Sequence, residues 1–146
     1  MAYLVYNKFG TVVACEIRDA QEAKFAVKVH HPEGGFFRYD EPEEVENYWY
    51  PQGVKTPLRE FHLGNYRSNI TIGETLSIAD IPEGTEIILR LTPIGKVGPV
   101  GIMKWTPKVK GLYDFTFRKL GYKTDEIRIV VGIKPKFRKA FDLELS

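Results

Sequence analysis

Residues 111–131, GLYDFTFRKLGYKTDEIRIVV, alternate apolar and polar positions, break, and alternate again. Tyr113, Phe115 and Phe117 fall on one side of an extended chain, with Asp114, Thr116 and Arg118 on the other. That period of two predicts two neighbouring strands joined at Gly121-Tyr122. The N-terminus reads the same way: Tyr3 and Val5, then Val13, Cys15 and Ile17, flank Asn7-Lys8-Phe9-Gly10 as a hairpin. AKFAVKV follows, with Phe25, Val27 and Val29 on one strand face and Lys24 and Lys28 on the other. HPEGG then supplies Pro at the second and Gly at the fourth position of a type I turn, and the same chemistry recurs in IPEGT. SNITIGETLSI, TEIILRLTP and GPVGIMKW are further short strands between Gly and Pro. The expected fold class is therefore all-β, an antiparallel sandwich or barrel nearly without helix.

The alternation fails between Gly34 and Asn65. Three prolines, five acids from Asp40 to Glu46 and many aromatics crowd that span. One short helix is predicted near Asp40, with Pro42 in its first turn and Glu43, Glu44 and Glu46 at its positive end. The remainder is expected to be a long ordered loop, and loops of that length inside compact domains are usually functional or interfacial. Phe36, Phe37, Tyr39, Tyr48, Trp49, Tyr50, Phe61 and Tyr66 exceed what a small sandwich needs for its core. Such rings suit either a protein interface or a satellite core beneath the loop. The chain closes with GIKPKFRKAFDLELS, where Phe141, Leu143 and Leu145 alternate behind a basic linker; it reads as an arm with strand potential. The expected organisation is 1–33 hairpin and strand, 34–70 loop region, 71–132 β module and 133–146 arm, one compact domain with an appendage.

Composition narrows the function classes. Hydrophobic residues at 43% and charged residues at 27% fit a folded core. No run suits a membrane span, and the N-terminus does not resemble a secretion signal. The single Cys15 permits no disulfide within the chain and is expected to be a buried, inert thiol. Sparse Asn, Gln, Cys and Met point to a heat-adapted source. Net charge is +2, yet residues 1–86 carry 8 Lys+Arg against 14 Asp+Glu, and residues 87–146 carry 13 against 5. That polarity fits nucleic acid on the basic half, another acidic surface, or packing between copies. Lys104, Lys108, Lys110, Lys134, Lys136, Arg138 and Lys139, interleaved with Trp105, Tyr113 and Phe137, are the nucleic-acid candidates, although the acidic half opposes such binding. No catalytic motif stands out. Ser68, Ser77 and Ser146 lie in no nucleophile elbow, GKVGPVG is no phosphate loop, and DEPEEVE reads as a solvated face. The pairs His31 with Glu33 and Glu60 with His62 fall short of a metal site. Neither cofactor nor metal is expected, and no enzyme.

GLYDFTF resembles the tyrosine corner of immunoglobulin-like sandwiches, with Phe115 where a bonded cysteine would stand. Trp105 lies too near in sequence to be such a fold's usual strand-C tryptophan, so the relative would be shortened or rewired. Residues 82–131 are also similar to the PEGA family of β modules, through Gly84, Gly95, Thr106, Pro107, Gly111, Tyr113, Phe115, Lys119, Gly121, Tyr122, Lys123, Ile127 and Ile129. That resemblance implies a non-enzymatic module of surface or scaffold proteins. In size, composition and layout the chain resembles the capsid decoration proteins of tailed bacteriophages. This second resemblance implies a virion location, assembly in the host cytoplasm, association with copies of itself (a trimer at lattice junctions) and contact with a major capsid protein or similar scaffold. The interface residues expected are Phe36, Phe37, Tyr48, Trp49 and Tyr50 in the loop and Phe137, Phe141, Leu143 and Leu145 in the arm. The alternatives are a carbohydrate-binding or surface β module, cytoplasmic or at the cell surface, and a nucleic-acid-binding β protein.

Overall fold

The computed structural model describes residues 1–133; of the expected arm, residues 134–146, with Phe137, Phe141, Leu143 and Leu145, lie outside the described residues. The described chain is mostly strand, in several largely antiparallel sheets, none of them closed. Among the described residues no helix is long and apolar enough to cross a membrane. Contacts divide the chain into two units: Met1–Glu60 with Lys119–Lys123, and Phe61–Arg118 with the residues from Thr124 onward.

In the first unit, β1 (Ala2–Tyr6) and β2 (Val12–Ile17) form the N-terminal hairpin. The Asn7 carboxamide oxygen accepts the N–H of Phe9 and of Thr11, at 3.0 and 3.1 Å, and holds the turn. Gly10, at φ +89°, passes so close to the Tyr50–Pro51 backbone that a Cβ would lie 2.5 Å from it. A bulge shifts the register from Tyr3↔Ile17 to Val5↔Ala14, with Glu16 at φ 60°. Val13 and Cys15 therefore do not share a face with Ile17. β2 is also the edge strand, so Cys15 is exposed rather than buried.

AKFAVKV is not a strand. It belongs to α1 (Ala20–His30), which starts at Asp19, whose carboxylate accepts the Gln21 N–H at 2.9 Å. Asp19 with Glu22 three residues on, and Lys28 and His30 in the last turn, are start and stop signals that outweigh the period-two pattern. The helix buries Ala23 and leaves Phe25 66% exposed. The type I turn then forms as expected, with the Gly34 N–H on the His31 carbonyl at 2.8 Å. β3 (Gly35–Tyr39) pairs with the far side of β1, giving the order β2-β1-β3 with α1 as the crossover.

The expected loop is largely structured. α2 (Glu43–Glu46) falls where the short helix was predicted, and β4 (Tyr48–Trp49) pairs with β5 (Thr56–Pro57) across a turn at Pro51–Gly53. A small core gathers Ala2, Leu4, Tyr39 and Tyr50, flanked by Tyr6, Val12, Val45 and Tyr48. Gly121 at φ +84° presses on the Trp49 ring, and Arg59 bridges to Tyr122.

Among its described residues the second unit has seven strands: β6 (Asn69–Thr71), β7 (Leu76–Ile78), β8 (Glu86–Leu89), β9 (Thr92–Lys96), β10 (Met103–Trp105), β11 (Gly111–Arg118) and β12 (Asp125–Gly132). Five form the sheet β6-β12-β11-β8-β9, antiparallel except that β6 runs parallel to β12; β7 and β10 pair separately. Tyr113, Phe115 and Phe117 of β11, with Ile127, Ile129 and Val131 of β12, line one core that also takes Leu76 and Ile78 from β7 and Met103 from β10. TEIILRLTP is two strands, turned at Arg90 and Leu91, both with positive φ (48° and 69°). IPEGT closes on Pro82 to Thr85 with Gly84 at φ +83°, so its glycine sits one place earlier than a type I turn requires.

Candidate interaction surface

The aromatic residues expected at an interface are divided by the fold. Tyr50 is fully buried, its ring stacked on Tyr6 at 5.3 Å and tilted against Phe37 at 5.0 Å. Tyr48 and Trp49 are half-buried, as is Phe36, whose ring meets Tyr3 at 6.1 Å. Phe37 stays partly open to solvent. Tyr50 and Tyr48 belong to the small core of the first unit, Phe37 touches it through Tyr50, and Phe36 lies on the opposite sheet face. Close by, Glu44 accepts the N–H of Asp40 and of Glu41, and Lys55 Nζ at 2.5 Å. The Glu41 amide, then Lys55, hold the Glu44 carboxyl down at about 2 from its ordinary 4.5. Lys55 also lies over the Tyr48 ring at 4.6 Å. The Tyr50 hydroxyl is buried without a hydrogen-bond partner, and burial pushes its pKa up.

Sequence reasoning missed a second surface, at one end of the five-stranded sheet. Leu112 and Val130 pair across β11 and β12 on the side away from the core and are exposed. Beside them on that side, Asp114 and Arg128 form an ion pair at 2.8 Å. Val109 is 65% exposed just before β11, and Ile133, just after β12, is 57% exposed. Leu91 tips the adjacent β8–β9 turn at 95% exposure. Arg90 fixes that turn: its N–H reaches the Asp114 carbonyl at 3.1 Å, its guanidinium reaches the Leu112 carbonyl at 2.5 Å, and it lies over the Tyr113 ring. Lys108 and Lys110 flank Val109 and are exposed. Of these exposed apolar residues, Leu112 and Val130 form an outward pair across the two strands, next to the Asp114–Arg128 ion pair. Leu91 was legible only as part of a continuous strand, so its exposure could not be read from the alternation.

The groups proposed for nucleic-acid stacking fare differently. Tyr113 is buried, and Trp105 is half-buried with its ring edge-on to Tyr113 and Phe115, at 4.8 and 5.0 Å. The charge polarity of the chain halves also fades on folding. The first unit carries 9 Lys+Arg against 10 Asp+Glu, and residues 61–118 with 124–133 carry 8 against 7.

Cavities in the described chain include one in each unit. One of about 230 Å³ in the first unit is lined by Tyr6, Asn7, Lys8, Glu33, Tyr50 and Gln52 among others, and one of about 380 Å³ in the second by Tyr66, Arg67, Glu74 and Leu76 among others. Among the described residues no three His, Cys, Asp or Glu side chains are grouped to hold a metal ion, and His30 and His31 sit at the end of α1 with rings 6.4 Å apart. No family model and no curated protein matches the sequence.

Proposed function

We propose that the protein is a non-enzymatic structural component that works by contact, binding copies of itself and a larger protein assembly. The most specific form of this reading is a capsid decoration protein of the tailed-bacteriophage kind, located in the virion. One observation carries it: the apolar side chains of Leu112 and Val130, paired across β11 and β12, are exposed on the side away from the core. Apolar side chains left in water on a sheet face suit contact with another protein. The finer fold assigned is an immunoglobulin-like sandwich. It is supported by one core shared between the two sheets of the second unit and by the Tyr113 hydroxyl, which donates to the Val109 carbonyl at 2.6 Å as a tyrosine corner does.

The test is attachment. Leu112→Lys with Val130→Lys places two cations on an exposed pair and leaves the core intact. It is expected to abolish both self-association and co-sedimentation with tailed-phage capsids stripped of their decoration. Co-sedimentation equal to that of the unchanged protein would count against this surface, and absence of any binding by the unchanged protein against the reading as a whole.

A further inference from the structure

We infer that the cavity of about 380 Å³ in the second unit is a binding site for a neutral saccharide. The inference is independent of the contact-based reading above, and neither outcome of its test bears on that reading. Small-molecule sites span roughly 300–1,000 Å³, and this cavity lies at the small end, as one or two sugar rings require. It lies where β6 and β7 part. β6 pairs with β12 and β7 with β10, so these two strands, joined through residues 72–75, belong to different sheets. Ile70 of β6 and Leu76 of β7 are buried, at 5% and 2% exposure, and give the cavity an apolar floor. Tyr66 also lines it with 37% of its surface in solvent, so its ring is accessible to the C–H face of a pyranose.

The polar wall has the composition that hydroxyl groups need. Arg67 Nη1 donates to Glu74 Oε2 at 2.8 Å, and Glu74 Oε1 accepts the Thr71 amide and hydroxyl at 3.1 and 2.7 Å. The Thr71 hydroxyl, then its amide, hold the Glu74 carboxyl below its ordinary range, so it stays ionised. The pair thus sets a fixed acceptor beside a fixed donor. Adjacent hydroxyls of a sugar, each able to donate and to accept, match both. Asn65 and Ser77 add a carboxamide and a hydroxyl to the lining, and among the described residues neither side chain has a hydrogen-bond partner. Charge argues against other ligand classes. Arg67 and Glu74, the charged residues of the lining, neutralise each other, so a phosphate or carboxylate would find no surplus cation. A metal ion would find a single carboxylate.

The experiment is saturation-transfer NMR of the full-length protein with glucose, galactose and mannose disaccharides at millimolar concentration, and with a glucuronate disaccharide as the charged counterpart. Transfer to the ring C–H protons of at least one neutral disaccharide is expected, with weaker transfer to the uronate. In titrations, Tyr66→Ala is expected to lower affinity about tenfold, whereas Tyr66→Phe keeps the ring and most of the affinity. Thermal melts of both variants check that they fold. Should Tyr66→Ala unfold, Asn65→Ala takes its place, with a loss of affinity again expected. No transfer to any neutral disaccharide, stronger transfer to the uronate, or unchanged affinity in the folded alanine variant overturns the inference.

Discussion

At the scale of single residues, Tyr50 decides how the aromatic segment is understood. Among the described residues its side chain is the largest that is fully buried, and its hydroxyl lacks a partner. A buried, unpaired hydroxyl costs about 1–3 kcal/mol, whereas an apolar atom set of the same shape does not. Tyr50→Phe is accordingly expected to raise stability by about 1 kcal/mol, read as a higher denaturant midpoint with an unchanged slope. A loss of stability on that substitution would mean the hydroxyl holds a bond that matters. The sequence could not separate Tyr50 from its neighbours Tyr48 and Trp49, since three adjacent rings carry no periodicity. What selects Tyr50 is the close pass of Gly10, whose carbonyl accepts the Tyr50 N–H at 2.7 Å.

At the scale of elements, legibility tracked burial. β11 and β12 were readable because each has one face in a core and one in water, so composition follows the pleat. α1 was not, because its packing side is mostly small, Ala23 with the half-buried Ala20, Ala26 and Val27, while the larger Phe25 and Val29 are exposed, inverting the usual relation of hydrophobicity to burial. Its capping residues carried the information instead. β4 and β5, two residues each, are too short to leave any pattern. The end of α2 offers a pH test. Glu44 is held near 2 by the amides of Glu41 and Asp40 and by Lys55, well below its ordinary 4.5. A carboxyl depressed on folding stabilises above its unfolded value, and that contribution disappears as pH falls toward the folded one. Glu44→Gln is therefore expected to destabilise the protein at neutral pH. The gap from the unchanged protein should narrow between pH 4.5 and 2 in acid melts. A gap that stays constant across that window would show that the carboxylate charge is not what Glu44 contributes.

At the scale of the whole molecule, the separation of charge along the chain proved to be a property of the sequence more than of the folded units. Lys119 and Lys123 fall within the first unit and offset its acids, and the basic linker lies beyond residue 133. What survives at the surface of the second unit is local: the outward Leu112–Val130 pair beside the Asp114–Arg128 ion pair. The surface is small, so it implies association that depends on concentration and on occupation by a partner rather than a permanently fused oligomer. The most direct measurement is the mass of the full-length protein by light scattering across a dilution series. A mass that rises with concentration to a whole multiple of 16.8 kDa, and falls back to 16.8 kDa in the Leu112→Lys, Val130→Lys variant, is expected. A mass fixed at 16.8 kDa at every concentration, or a multiple unaffected by those substitutions, would contradict the assignment of this surface as the self-contact.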